Sequence, residues 1–118
     1  DWSAVELPAA RFENLVASQL LKYCHLANDR DGERLELRFL RDSVKREIDF
    51  VVVNGKKPVF AVECKSGEGG LGKNISYFSA RLPIPKFYQV HPGTKHLEIP
   101  AARAEIIPFT AFAAMLGV

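Results

Sequence analysis

Apolar side chains recur early in the chain at Phe12, Leu15, Val16, Leu20 and Tyr23, a three-to-four-residue spacing that predicts one amphipathic helix. Pro8 suits its first turn, where a missing N–H costs no hydrogen bond, so the helix is expected over residues 8–26. Asn28 to Gly32 reads as a polar turn. The period then drops to two: Leu35, Leu37 and Phe39 alternate with Glu36 and Arg38, which predicts a half-buried strand over 34–41. Residues 41–47 are mostly charged and read as a loop or an exposed strand end. Residues 47–53 and 58–65 are rich in β-branched and aromatic residues and flank Asn54-Gly55-Lys56-Lys57, a hairpin signal. Both strands are apolar on both faces near the turn, as in the middle of a sheet covered by helices. Ser66 to Asn74 holds four glycines and reads as a flexible loop. A short helix is expected at 75–81, stopped by Pro83 and Pro85, then a strand at 86–90 and a turn at His91-Pro92-Gly93. Weaker strands are expected at 97–99 and 105–107, and a last apolar helix runs from Pro108 to Leu116. The interleaving predicts an α/β fold, a mixed sheet with helices on both faces.

At 118 residues, with 47% hydrophobic and 25% charged side chains, the chain is expected to form a single domain over 1–118. That balance argues against a disordered, collagen-like or disulfide-stapled chain. No apolar run is long enough to span a bilayer, and no basic-then-apolar leader opens the sequence. It begins at Asp1 rather than Met, so it is expected to be a fragment of something longer. Cys24 and Cys64 form no CxxC pair, and His25, His91 and His96 are scattered, so nothing has zinc-ligand spacing. The cysteines read as small buried hydrophobes, and a reducing cytoplasm is the consistent compartment. The formal net charge of +2 is uninformative, but its distribution is not. From Lys65 to Arg103 only Glu68 and Glu98 oppose Lys65, Lys73, Arg81, Lys86, Lys95 and Arg103. The C-terminal half is positive, which suits either a polyanion or plain solvation.

The strand at 58–65 carries the candidate chemistry. Alternation puts Val59, Ala61, Glu63 and Lys65 on one face, and a Glu and a Lys ending an apolar strand need a partner or a ligand. If Val53 faces Val59 across the turn, Val51 faces Ala61, Asp49 faces Glu63 and Glu47 faces Lys65. Carboxylates that close repel, so one holds a proton or a cation sits between them. A hard divalent ion such as Mg²⁺ (or Mn²⁺) is the natural occupant. Lys65 would orient a water or stabilise developing charge, and Glu13, just off the helical stripe, would complete the acidic cluster. The bland alternative is a salt bridge from Lys65 to Asp49 or Glu63 at a sheet edge.

The pattern Glu13…Asp49…Glu63-Cys64-Lys65 resembles the signature of the PD-(D/E)xK nuclease superfamily, with Ile48 where that signature often has Pro. The resemblance implies a restriction-endonuclease-like fold. It implies that Asp49 and Glu63 bind Mg²⁺, that the Cys64 carbonyl joins the coordination, and that Lys65 positions the attacking water. Glu13 maps to the acidic residue of the first helix. A closer resemblance rests on the opening from Asp1 to Lys22, on Arg-Glu-Ile-Asp-Phe-Val-Val (46–52), Ala-Val-Glu-Cys-Lys-Ser-Gly (61–67) and Ile-Ile-Pro-Phe (106–109). These look like the uncharacterised C-terminal domain of prokaryotic AAA+-type ATPases, which implies an ATP-binding domain earlier in the parent chain.

Gly67 to Asn74 reads GxxxxGK-N after a strand, as a phosphate-binding loop would. Asn74 stands where a Mg²⁺-holding hydroxyl belongs, the following helix is short, and no succession of parallel strands surrounds it. A mobile loop at the rim of the acidic site is the better reading. Gln89 and His91 end a strand that can lie beside the Glu63 strand, where a capping or turn role is expected. Trp2 and Tyr88 are candidate base-stacking residues, with core packing the default. The expected function is a Mg²⁺-dependent nuclease domain, DNA rather than RNA being held by Lys73, Arg81 and Lys86. The alternative is a non-catalytic module that regulates its ATPase.

Overall fold

The computed structural model describes residues 8–67 and 69–118; Trp2 and Glu68 lie outside them. Helix α1 (Pro8–Asp31) buries one stripe made of Val16, Leu20, Cys24 and Ala27. It runs five residues past the expected end because Ala27 continues that stripe. Asn28, expected to open a turn, stays helical and clasps the next strand instead. Its Oδ1 accepts from the Leu35 N–H at 2.7 Å and its Nδ2 donates to the Leu35 carbonyl at 3.0 Å. Gly32, at φ +68°, ends the helix in the left-handed conformation that glycine adopts without strain.

Strands β1 (Leu35–Arg41), β2 (Glu47–Asn54) and β3 (Lys57–Cys64) form an antiparallel meander. Helix α2 (Lys73–Ser79) crosses to β4 (Phe87–His91), which lies parallel to β3. Strand β5 (Leu97–Ile99), a 3₁₀ turn at Pro100–Ala102, β6 (Ala104–Pro108) and helix α3 (Phe109–Leu116) complete the chain. The order is β1-β2-β3-β4-β6-β5, a six-stranded mixed sheet. This is the α/β fold that the element pattern predicted. The helix expected at 75–81 sits at 73–79, so it starts directly from the glycine loop.

Two cores sandwich the sheet. On one face α1 and α3 cover Leu35, Val52, Phe60, Val62, Val90 and Ile107. On the other, Ile75 and Phe78 of α2 cover Val51, Val53, Ala61, Phe87 and Ala104. The β2–β3 register matches expectation at Val51–Ala61 but not at the turn, where Val53 pairs with Pro58 and Val59 is the extra residue. Pro58 has no N–H to give the ladder, which is why the irregularity falls there. A second bulge matters more. Pairing passes from Arg38–Val51 to Leu40–Ile48, so Asp49 and Phe50 together oppose the single residue Phe39. The alternation of β2 therefore slips: Ile48 and Val51 both enter the α2-side core, while Phe50 packs on the α1 side.

Candidate functional site

The bulge sets the geometry of the acidic residues. Asp49 does not simply face Glu63 across a flat ladder. Its backbone N–H donates to Glu63 Oε1 at 3.2 Å, and its own Oδ2 accepts from the Cys64 N–H at 2.8 Å. The Glu63 carboxylate is thus tied to the Asp49 backbone, and the Asp49 carboxylate to the backbone one residue past Glu63. Burial, and after it the charge of Asp49, pushes the Glu63 carboxyl up to about 8. Asn74, early in α2, donates its Nδ2 to the Glu47 carbonyl at 2.8 Å and also bonds the Glu63 side chain. Nothing in the sequence marked Asn74 for this role. Glu13, exposed on α1, is raised too, first by desolvation and then by Asp49 and Glu47, so it lies in the same field.

A raised folded-state pKa makes Glu63 a source of pH-dependent stability. The folded chain holds a proton on it that the unfolded chain releases near the ordinary value of 4.5. Between about 4.5 and about 8 the native state binds the extra proton, so stability falls as pH rises through that window. With the carboxyl still partly open to water, we expect a loss of roughly 1–2 kcal/mol between pH 5 and pH 8 in metal-free buffer. Glu63→Gln, which keeps the acceptor for the Asp49 N–H, is expected to flatten that slope in thermal melts. An unchanged slope would place the titration elsewhere.

Lys65 follows the last residue of β3 and is exposed. Among the described residues it makes no ion pair, so the salt bridge to Asp49 or Glu63 is not what the structure contains. It lines an opening of about 200 Å³ with Phe12, Glu13, Cys64 and Ser66. Asp49 lines a neighbouring cleft of about 220 Å³ with Phe39, Arg41, Glu47 and Ile48. The contact between Asp49 and the Cys64 N–H is the seam between the two. Burial, with the nearby carboxylates, pushes the Cys64 thiol far up, so it stays protonated and is no thiolate ligand. Only its backbone carbonyl is left for a hard cation.

Gln89 is buried beneath the glycine loop, with Oε1 accepting from the Gly72 N–H at 2.7 Å and Nε2 donating to the Gly70 carbonyl at 3.0 Å. A Cβ on Gly72 would lie 3.3 Å from both Gln89 Oε1 and Lys65 Cε, so a larger residue there would push one of those side chains back by a few tenths of an ångström. The Gly72 amide is spent on Gln89, which agrees with setting aside the phosphate-loop reading. His91, also buried, accepts at Nδ1 from the Gly93 N–H at 3.0 Å and bonds the Lys95 carbonyl through Nε2 at 2.7 Å, closing the turn as expected. Tyr88 is half-buried, 5.5 Å from Phe60 and 5.4 Å from Phe112 between ring centres, and packs in the core rather than at a site.

The three cations expected to hold nucleic acid do not share one face. Lys73 is exposed at the start of α2. Arg81 stacks on Tyr77 at 3.8 Å, with Arg46 at 3.6 Å from the same ring. Lys86 lies on the opposite side of the sheet, beside Tyr88, and pairs with Glu105 at 3.4 Å. Arg46 was not expected; only its place in a charged loop pointed to it.

Two carboxylates and a backbone carbonyl form an all-oxygen donor set. That suits Mg²⁺ or Mn²⁺, which take one or two carboxylates and fill the rest with water and substrate phosphate. No three His, Cys, Asp or Glu side chains converge in metal-holding geometry among the described residues. Nor is any described helix long and apolar enough to cross a membrane. No curated protein and no solved structure matches the chain significantly. One family model does, over residues 9–112, spanning the acidic pair, Lys65 and the Gln89 clamp. The chain therefore belongs to the family described as Domain of unknown function (DUF4143).

Proposed function

We propose that this domain is a metal-dependent nuclease, a phosphodiester-hydrolysing module on a restriction-endonuclease-like scaffold, attached in its parent chain to an AAA+-type ATPase. One observation carries the reading: the hydrogen-bonded Asp49–Glu63 pair, in which the raised proton affinity of Glu63 marks a place that prefers a cation to a second bare charge. Asp49, Glu63 and the Cys64 carbonyl hold Mg²⁺ or Mn²⁺. That ion, when bound, acidifies water and offsets charge on the scissile phosphate. Lys65, exposed and with no ion pair among the described residues, orients the water, and Glu13 across the same opening assists as a base. Lys73 and Arg81, with Arg46, supply phosphate contacts on the α2 side. The cytoplasm is the proposed compartment.

A second reading keeps the fold and drops the chemistry: a non-catalytic module that regulates its ATPase. It is favoured by the lack of a third converging metal-binding side chain among the described residues. Calorimetric titration separates the two. The hydrolase reading expects Mg²⁺ or Mn²⁺ to bind more tightly at pH 8 than at pH 6, since the ion competes with the proton on Glu63, and expects the heat to vanish in Glu63→Gln. A silent titration at both pH values supports the module.

A further inference from the structure

Strand β1 lies at the edge of the sheet, and only part of that edge is closed. Arg34 turns its backbone to the β2 side, where its carbonyl accepts from the Gly55 N–H at 3.0 Å, and the Asp42 N–H donates to the Arg46 carbonyl on that same side at 2.9 Å. Strand alternation between these points sends the N–H and C=O of Leu35, Leu37, Phe39 and Arg41 off the sheet. Asn28 takes both groups of Leu35. Those of Leu37, Phe39 and Arg41 have no hydrogen-bond partner among the described residues. Beside this open stretch the α2 face of the sheet holds an apolar groove of about 240 Å³, walled by Leu40, Val51, Val53, Pro58, Leu82 and Ile84. Arg38 joins the groove to a wider opening of about 710 Å³ at the β2–β3 turn, where Arg34, Lys56 and Lys57 gather. None of those three makes an ion pair among the described residues. The acids nearby are Glu36, bound to Arg38 at 2.7 Å, and Glu33, bound to the Asn54 amide at 2.6 Å, so positive charge prevails at this corner.

We propose that the open edge of β1 binds an extended acidic peptide of a partner protein as a seventh strand, with an apolar side chain in the groove and carboxylates at the Arg34–Lys56–Lys57 corner. A row of outward N–H and C=O groups is matched by another peptide backbone, and a nucleic acid has no such row to offer. Asn28 closes the edge at Leu35, so a strand paired with Arg41, Phe39 and Leu37 must leave the sheet there, beside Arg34 and the turn. A carboxylate at that end meets the unpaired cations. A second copy of this chain fits less well. Antiparallel pairing of two β1 edges centred on Arg38 sets that arginine against itself, and pairing centred on Phe39 sets Glu36 against the copy's Asp42. Pairing centred on Leu37 would match Glu36 with the copy's Arg38, but it needs the backbone of Leu35, which Asn28 already holds.

The test is anisotropy of a labelled peptide with a valine–threonine core flanked at both ends by aspartate and glutamate, compared with the same core flanked by lysine. The acidic peptide is expected to bind about tenfold more tightly, and combining Arg34→Glu, Lys56→Glu and Lys57→Glu should reverse the preference. All three side chains are exposed, so the melting transition should stay in place, which circular dichroism checks. N-methylating one alternate set of core residues, the set that faces β1, should abolish binding, and methylating the other set should spare it. With the acidic peptide bound, the amides of Leu37, Phe39 and Arg41 should gain protection from hydrogen exchange. These last two readouts use the parent chain, so they decide the matter even where charge reversal disturbs the fold. Equal binding of the two peptides, no binding of either, indifference to both N-methylated sets, or no gain of protection at those amides overturns the proposal. So does tighter binding of oligothymidylate than of the acidic peptide, or a chain that dimerises with those amides already protected before any peptide is added.

Discussion

Asp49→Ala and Lys65→Ala are each expected to lower Mg²⁺-dependent cleavage of a nucleic-acid substrate by about 10²–10³-fold or more, without unfolding the domain. The two act differently, and the difference is measurable. Asp49 holds the ion and also accepts the Cys64 N–H at 2.8 Å, so its removal should abolish the heat of Mg²⁺ binding. It costs roughly 1 kcal/mol for the lost hydrogen bond, partly offset because Glu63 no longer faces a second charge. Lys65 is exposed and makes no ion pair among the described residues, so its truncation should leave stability within roughly 0.5 kcal/mol and Mg²⁺ affinity nearly intact. Only turnover should fall. Cleavage at the parent rate in both variants would remove the mechanism, and loss of Mg²⁺ binding in Lys65→Ala would reassign that residue.

Gln89→Leu is expected to destabilise the domain by roughly 1–3 kcal/mol and to impair the site as well. The volume change is small, so packing is not the cause. Leucine leaves the Gly72 N–H, which is buried, without its acceptor, whereas the Gly70 carbonyl is exposed and can return to water. The same clamp presses Gly72 against Lys65, so releasing it frees the loop and the lysine together. Denaturant unfolding and hydrogen exchange at Gly72 give the readout. Gln89→Glu, which keeps an acceptor for that amide, should recover part of the loss. A Leu variant as stable as the parent, with the Gly72 amide still protected, would mean that something else holds the loop.

How far the sequence could be read depended on the kind of contact. Apolar periodicity and turn residues placed the α-helices and strands of the described residues within two residues, the end of α1 excepted, because burial of one face is written locally in the order of apolar and polar side chains. The candidate pair was legible for the same reason: a Glu ending an apolar strand, one hairpin after an Asp, has few ways to be solvated. The α1 end was missed because Ala27 extends the buried stripe by one more position and Asn28 bonds Leu35, seven residues on; a turn-forming residue does not announce which partner it will find.

The amino-acid order by itself determined the α/β class, the hairpin, the buried strands and the presence of two acids and a lysine around residues 49–65. Only the tertiary structure decided how they meet. A bulge is a mismatch of count between two strands, set by what each packs against on both faces, so no periodicity within β2 reveals it. That one extra residue put Ile48 and Val51 on the same side of the sheet, with Asp49 between them. Lys65 lines a different opening from Asp49, and Gln89 and Asn74, distant in sequence, hold the parts in place. Periodicity records which side of an element is dry; register and long-range hydrogen bonds exist only once separate elements have docked.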